Sequence, residues 1–198
     1  MTDAGRVIAG SAAGRRLLAP GAGTRPLSDR VKQALFGALE PSLAGARVLD
    51  LFAGSGAAGI EALSRGAARV VFVERDPGAV RVIRENLRRT GFEVPAGATV
   101  DVVQGDAIAW LRDRAAAQAP FDVVLVDPPY AEAGVLLTSL ERLGDPVGAG
   151  LLAPGARVVA KHFWRDAPPA RIGLLASERS RRFGETALTF YRRGEVTT

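Results

Sequence analysis

The sequence predicts an α/β fold built around a largely parallel sheet. Between residues 47 and 126, apolar strand-like segments alternate with helical ones, as they do in repeated βα units. The segments at 69–74 and 121–126 are apolar along nearly their whole length, which is typical of parallel strands covered by helices on both faces. A glycine-rich turn follows the first strand-like segment, at 47–52, in a position where α/β proteins commonly bind ligands.

The N-terminal part of the chain has a different pattern. Residues 6–18 contain two short strand-like runs around small turn residues and predict a hairpin, and Pro20 to Pro26 reads as a Gly/Pro-rich linker. Ser28 is placed to cap a helix whose apolar residues recur at helical spacing, and Pro41 is expected to stop it.

The remaining elements follow in order. The predicted strands, seven in all, lie at 47–52, 69–74, 99–104, 121–126, 156–161, 171–177 and 186–192. The predicted helices between them lie at 57–65, 77–89, 106–117 and 132–143. We divide the chain into an N-terminal extension, 1–40, and a larger domain, 41–198.

Composition excludes several classes of chemistry. The 198 residues suit one domain with a small appendage, and 47% hydrophobic with 24% charged residues is an ordinary globular balance. Cysteine is absent, so disulfides, cysteine zinc sites and thiol catalysis are excluded, and we expect no metal. His162 is the one histidine, and we expect it to be a surface residue at a strand end. No apolar run or leader-like start suggests a membrane or export, so we expect a cytoplasmic protein.

The charge balance points to a polyanionic partner. Lysine and arginine together number 26 against 21 acidic residues, a net charge of +5. Nearly all of the cations are arginines, whose planar guanidinium grips phosphate and stacks on bases.

The glycine-rich turn runs from Asp50 through Gly54 and Gly56, and with Gly59 it also spells GxGxxG. That pattern alone is compatible with a dinucleotide site. A carboxylate such as Asp50 would repel a pyrophosphate but suits a cationic amino acid, which S-adenosylmethionine carries. The turn therefore favours S-adenosylmethionine, and a dinucleotide-binding oxidoreductase is the alternative.

Two further acids end the next strands. Glu74 can accept hydrogen bonds from both ribose hydroxyls of such a ligand. Asp106 can contact an adenine amine, cap the next helix, or do both. Asp76 before Pro77 is interpreted as a helix cap.

The most specific motif is Asp127, Pro128, Pro129 and Tyr130, at the end of the fourth predicted core strand. The lone pair of an exocyclic base amine is delocalised into its ring. A carboxylate and the Pro128 carbonyl can accept hydrogen bonds from the two N–H groups of the amine and thereby direct its lone pair at a methyl-sulfonium. Tyr130 can stack on an extruded base.

Taken in order, these motifs resemble a class I S-adenosylmethionine-dependent methyltransferase that methylates amino groups. Flanking stretches at 6–17, 24–32, 59–67 and 184–191 are similar to the ribosomal RNA small subunit methyltransferase D family, and the resemblance covers nearly the whole chain. It implies a Rossmann-like fold with an antiparallel last strand and methylation of N2 of guanine 966 in 16S ribosomal RNA.

The resemblance also implies site residues. The S-adenosylmethionine site would comprise Asp50, Phe52, Ala53, Gly54, Ser55, Gly56, Glu74, Arg75, Asp106 and Ala107. The catalytic set would be Asp127, Pro128, Pro129 and Tyr130. RNA contacts would come from Arg15, Arg16, Arg25, Arg30 and Lys32. The expected substrate is 16S ribosomal RNA within a small-subunit assembly intermediate, and the expected enzyme is a monomer.

Some residues depart from the family pattern. Ala12 and Ala13 stand where an aromatic and a basic residue are common, and Lys161 and His162 follow the fifth strand where an acid is common. A paralogue with another target base is thus an alternative, as are a DNA adenine-N6 methyltransferase and an RNA-binding module without catalysis. A thiol nucleophile for pyrimidine carbons is absent, and two lysines are too few for a ribose 2′-O-methylation set.

Overall fold

The computed structural model describes residues 2–21, 27–92, 99–113, 119–145 and 149–194. The chain divides into two compact units, Met1–Asp106 and Ala107–Thr198.

The first unit begins with the predicted hairpin. Strands β1 (Thr2–Arg6) and β2 (Arg16–Ala19) pair antiparallel. Helix α1 (Asp29–Leu39) follows, and the Ser28 hydroxyl accepts a hydrogen bond of 3.4 Å from the backbone N–H of Val31. The hairpin, the helix and its cap are therefore confirmed.

Three parallel strands and two helices complete this unit. In chain order they are β3 (Arg47–Leu51), α2 (Ala57–Ser64), β4 (Arg69–Glu74), α3 (Pro77–Thr90) and β5 (Val100–Gln104). Strand β4 lies between β3 and β5 and is parallel to both. Asp76 caps α3 through its carboxylate, 2.8 Å from the Ala79 N–H, as predicted.

Close packing of α2 on the sheet depends on Gly59. A Cβ atom at this position would lie 2.2 Å from the Phe72 ring. Phe72 is fully buried on β4, so a larger residue would push the helix away from the strand. The third glycine of the GxGxxG pattern is thus explained by packing.

The hairpin loop is fastened to α2. The buried Glu61 carboxylate accepts hydrogen bonds from the N–H groups of Ile8 (2.7 Å) and Ala9 (3.1 Å). A Cβ at Gly10 would lie 1.8 Å from the Ser64 carbonyl oxygen, so this contact requires glycine. The N-terminal segment therefore belongs to the first compact unit, and a domain boundary at residue 40 stays a prediction.

The described residues of the second unit form two α-helices and five strands. They are α4 (Ala107–Asp113), β6 (Phe121–Val126), α5 (Ala133–Gly144), β7 (Leu152–Phe163), β8 (Arg171–Ile172), β9 (Leu175–Phe183) and β10 (Thr186–Arg193). Strands β6 and β7 are parallel, whereas β10 pairs antiparallel with both β7 and β9, and β9 with β8.

The α/β class, the parallel strands and the antiparallel last strand are confirmed. Besides the hairpin, however, the described residues form eight strands rather than seven. The predicted strand at 171–177 is split by a turn at Gly173, whose φ is +55°, and β9 continues to Phe183 through an arginine-rich run. None of the helices within the described ranges is long and apolar enough to cross a membrane.

Candidate active site

Residues 52–56, which we call the glycine turn, join β3 to α2. Phe52 has a φ of +65° and is the only non-glycine residue with positive φ in the described part of the chain. A left-handed aromatic residue costs roughly 1–3 kcal/mol and is maintained where the surroundings hold it, often at ligand sites. Gly54 (φ +56°) has no atom within 4 Å of where a Cβ would lie, so the backbone is open there.

Asp50 organises this turn. Its side chain is 2% exposed, and Oδ2 accepts a 2.9 Å hydrogen bond from the N–H of Gly59 in the first turn of α2. A carboxylate at a helix N-terminus is stabilised by the unpaired N–H groups. The structure therefore gives Asp50 a positioning role, and its contact with a ligand amino group stays a prediction.

Glu74 connects the end of β4 to the glycine turn. Its Oε2 accepts from the Gly54 N–H at 2.8 Å, and its Oε1 accepts from the Asp76 N–H at 2.9 Å. An ionised carboxylate offers about four lone-pair sites, so two backbone donors leave room for ribose hydroxyls. The remaining acceptor sites of Glu74 and the open backbone at Gly54 thus fit an S-adenosyl ligand.

The other predicted cofactor residues follow the ends of the strands in the sequence. Ala53 is held by a 3.0 Å hydrogen bond from its N–H to the Val73 carbonyl. Arg75 is exposed just after β4, Asp106 is exposed after β5, and Ala107 is buried at the start of α4. Both interpretations of Asp106 stay predictions.

Sequence reasoning missed Asn86, a fully buried residue on α3. Its side chain accepts from the Leu18 N–H (2.8 Å) and donates to the carbonyls of Leu18 and Ser55 (2.9 Å each). It therefore ties the hairpin strand β2 to the glycine turn. The sequence did contain a signal for it: Asn86 follows the apolar Val82 and Ile83 by four and three residues, which places its amide on the apolar face of the helix.

Residues 127–130, which we call the target turn, follow β6 in the second unit. The Asp127 side chain is 30% exposed, and its Oδ1 accepts a 2.6 Å hydrogen bond from the Lys161 ammonium. Burial raises the pKa of the Asp127 carboxyl above its ordinary value, and Lys161 acts in the opposite direction.

Tyr130 is partly exposed and held from several sides. Its hydroxyl lies 2.8 Å from the Thr186 hydroxyl, and its ring meets that of Phe163 edge to face at 6.4 Å between centroids. The Lys161 ammonium lies 4.9 Å from the centroid of the Tyr130 ring.

A pocket of about 240 Å³ adjoins the target turn within the second unit. Its wall includes Pro128, Pro129, Tyr130, Lys161 and Phe163. The volume lies slightly below the roughly 300 Å³ at which small-ligand sites begin. An aromatic and proline wall suits a flat heterocycle, and Lys161, which pairs with Asp127, contributes to this wall.

His162 is not the surface residue that we expected. It is 3% exposed, its Nε2 lies 2.8 Å from the Thr189 hydroxyl, and its Nδ1 lies 2.8 Å from the Phe163 carbonyl oxygen. The expectation was wrong because β10 covers the strand that carries it. Both ring nitrogens have structural partners.

The predicted RNA contacts divide into two groups. Arg15, Arg16 and Arg30 are exposed, whereas Arg25 lies outside the described residues. Lys32 is fully buried, donates to the Arg6 carbonyl at 2.5 Å and lies 3.4 Å from Asp29. We therefore correct the expectation for Lys32: its ammonium stabilises the hairpin and is not placed to meet a phosphate.

The fold and the two turns define a class I S-adenosylmethionine-dependent methyltransferase. The model of the family described as Conserved hypothetical protein 95 matches residues 5–192, and the chain belongs to this family. The ribosomal RNA small subunit methyltransferase D of Escherichia coli (strain K12) is 34% identical over 189 residues, 95% of this chain and 89% of the relative.

Solved structures share the fold. The structure of yhhF from Escherichia coli has a TM-score of 0.80 at 33% identity and covers 96% of this chain and 97% of that one. SMU.776, solved in complex with SAH, has a TM-score of 0.68 at 13% identity, over 87% of this chain and 52% of that one. The second similarity shows the fold alone.

Proposed function

We propose that this protein transfers a methyl group from S-adenosylmethionine to the exocyclic N2 amine of guanine 966 in 16S ribosomal RNA. The 34%-identical relative named ribosomal RNA small subunit methyltransferase D supports the substrate. The observation that carries the proposal is the target turn, where the partly buried Asp127 precedes two prolines and a partly exposed tyrosine.

Asp127 and the Pro128 carbonyl act as the catalytic acceptors. When both N–H groups of the amine donate hydrogen bonds to these acceptors, the nitrogen moves toward tetrahedral geometry and its lone pair becomes available. Asp127 also stabilises the positive charge that develops on the nitrogen. The two prolines restrict the turn, so these acceptors are held before the base arrives.

Tyr130 and the pocket beside it hold the base. A guanine must leave its stack before N2 can be approached from the direction of its lone pair. The ring of Tyr130, steadied by Thr186 and Phe163, offers a face for the extruded base.

The glycine turn and Glu74 hold the cofactor, with Asp106 toward its adenine. Bound S-adenosylmethionine supplies a methyl group on a sulfonium, which is electrophilic without metal or acid catalysis. The methylated nitrogen then releases a proton to solvent. This step needs no protein base, which agrees with the burial of His162.

The test compares 16S ribosomal RNA from a strain lacking the gene with the same strain carrying parental protein or Asp127→Ala. We expect the N2-methylguanine mass at position 966 to disappear, to return with the parent and to stay absent with the variant. Asp113→Ala, an exposed aspartate on α4, is the matched control and should restore the methyl group. Calorimetry should show that Asp127→Ala still binds S-adenosylhomocysteine.

The same experiment tests the main rival. An Asp-Pro-Pro-Tyr turn can serve adenine N6 equally well, so N6-methyladenine lost from DNA in the deletion strain would favour a DNA enzyme. A methyl group on a ribose or a ring carbon would contradict the amine mechanism. We further propose that the enzyme acts as a cytoplasmic monomer on an assembly intermediate, which a comparison of naked RNA with partly assembled subunits would test.

A further inference from the structure

The guanidinium groups of two arginines lie over the ring of Trp164, the residue that directly follows β7. The Arg182 guanidinium carbon lies 3.6 Å from the centroid of the Trp164 ring, and that of Arg165 lies 4.8 Å from it. Hydrogen bonds hold this arrangement: the backbone N–H of Trp164 donates to the Glu185 carbonyl (3.0 Å), and Arg182 Nε donates to the Gly184 carbonyl (2.8 Å). We call Trp164, Arg165 and Arg182 the Trp164 platform.

The platform is continuous with the target turn. The Phe163 ring lies 6.3 Å from that of Trp164 and 6.4 Å from that of Tyr130, measured between centroids. Three aromatic rings therefore follow one another from the proposed base-binding residue to the arginines. All of them lie within the second unit.

The surface differs from a core cluster. Trp110, the other tryptophan, is 4% exposed and packs against Phe121, as a core residue does. Trp164 is only partly buried, and both arginines that flank it are exposed. Folding alone does not require a tryptophan stacked against guanidinium groups at the surface.

Both arginines of the platform are exposed. Two exposed acids, Asp166 and Glu185, lie near them in the sequence, so recognition of an anion depends on the stacked guanidinium groups rather than on a local excess of positive charge. An arginine stacked on an aromatic ring can still donate from its edge to a phosphate. Surfaces that bind single-stranded nucleic acid combine these two features, a stacking ring and cations that follow the backbone.

We infer that the Trp164 platform binds the single-stranded nucleotides next to the target base. A neighbouring base stacks on Trp164 in place of the Arg165 guanidinium, which lies farther from the ring (4.8 Å) than that of Arg182. Arg165 and Arg182 then bind the phosphates on either side of that base. This inference rests on the proposed function, because it takes the extruded base at Tyr130 to belong to RNA. It assigns RNA binding to residues other than the N-terminal arginines.

The experiment uses the full-length protein saturated with S-adenosylhomocysteine and a short single-stranded RNA of the target sequence. Because Trp110 is buried, quenching of tryptophan fluorescence on titration reports stacking on Trp164. We expect Trp164→Ala to weaken RNA binding roughly tenfold, the loss typical of one stacked base, and Trp164→Phe to retain most of the affinity. Arg182→Gln should lower the salt slope by about 0.7, the value for one phosphate contact.

Controls separate this inference from a folding defect and from the proposed function. Arg142→Gln, an exposed arginine on α5, should leave RNA affinity and salt slope unchanged. Affinity for S-adenosylhomocysteine and the melting temperature should be parental in every variant. In turnover assays we expect the KM for RNA to rise while kcat is retained.

Two results would overturn the inference. One is parental RNA affinity and KM in both Trp164→Ala and Arg182→Gln, and this would leave methylation by the parent, and hence the proposed function, intact. The other is a defect seen with protein-containing subunits but not with RNA, because the surface would then bind a protein. If the parental protein did not form N2-methylguanine, the proposed function would instead be contradicted. The RNA-binding data alone would then decide whether the Trp164 platform binds RNA.

Discussion

Lys161 donates a hydrogen bond of 2.6 Å to Asp127, the carboxylate that we propose accepts the target amine. The lysine is 15% exposed, and its ammonium also lies over the Tyr130 ring. One cation thus contacts both of the side chains that we propose act on the base.

The first prediction concerns the pH dependence that follows from this pair. In the proposed mechanism Asp127 accepts a hydrogen bond from the amine while it is an ionised carboxylate. Activity is therefore expected to fall as the pH drops through the pKa of Asp127, because the carboxyl becomes protonated. Burial raises that pKa and Lys161 opposes the rise, so Lys161→Met should raise it further. We expect the acidic limb of the kcat/KM profile to move to higher pH.

Lys161→Arg, which keeps the positive charge, is the control for this shift and should retain the parental limb. Recovery of Lys161→Met at alkaline pH would separate a titration effect from damage to the fold. Superimposable profiles for Lys161→Met and the parent would show that the lysine does not control Asp127.

The second prediction concerns Glu74. Glu74→Ala removes the acceptors for ribose and also the hydrogen bond that holds the Gly54 N–H. Because a hydrogen bond to a charged group is lost, we expect the dissociation constant for S-adenosylhomocysteine, measured by calorimetry, to rise about tenfold or more. Glu85→Ala on the surface of α3, where the carboxylate pairs with Arg88, should bind like the parent. Unchanged affinity of Glu74→Ala would contradict the ribose assignment.

Much of the fold was predictable because its signals are local. The apolar strands, the glycine turn and the proline-stiffened target turn each occupy a few consecutive residues. The caps at Ser28 and Asp76 were predictable for the same reason. Strand β9 was not, because its arginines occupy exposed positions of a strand near the sheet edge and resemble a solvated loop.

The residues that were misjudged depend on distant parts of the chain. Lys32 precedes the apolar Leu35 and Phe36 by three and four residues, but its ammonium finds its partner in the Arg6 carbonyl of β1, which is distant in the sequence. His162 is covered by β10, which follows it by more than twenty residues. The pairing of Lys161 with Asp127 likewise joins the ends of two strands, and no sequence spacing announces it.

The third prediction separates two basic residues of α1. Arg30 is exposed, whereas Lys32 is buried under the hairpin. If Arg30 meets a phosphate, Arg30→Gln should lower the salt slope of RNA binding by about 0.7 and leave the melting temperature unchanged. Lys32→Met should lower the melting temperature and leave the salt slope unchanged, because it removes the donor to the Arg6 carbonyl without removing a phosphate contact. A flattened salt slope together with parental stability in Lys32→Met would contradict the buried placement.

The last prediction concerns Asn86, whose amide joins Leu18 of the hairpin to Ser55 of the glycine turn. Asn86→Ala leaves three backbone polar groups without this partner, and a buried unsatisfied group typically costs about 1–3 kcal/mol. We expect the free energy of unfolding, measured by urea denaturation, to fall by about 2–3 kcal/mol. Arg84→Ala, on the exposed face of the same helix, should change it by no more than about 0.5 kcal/mol.

Because the same amide contacts the glycine turn, Asn86→Ala should also weaken binding of S-adenosylhomocysteine at temperatures where the variant remains folded. Asn86→Asp tests the donors separately: it keeps an acceptor for the Leu18 N–H but loses both N–H groups that bond the two carbonyls. We expect Asn86→Asp to be as unstable as Asn86→Ala at neutral pH, because it also places a charge at a fully buried position. Parental stability and cofactor affinity in both variants would show that the hairpin and the glycine turn are held in place without this amide.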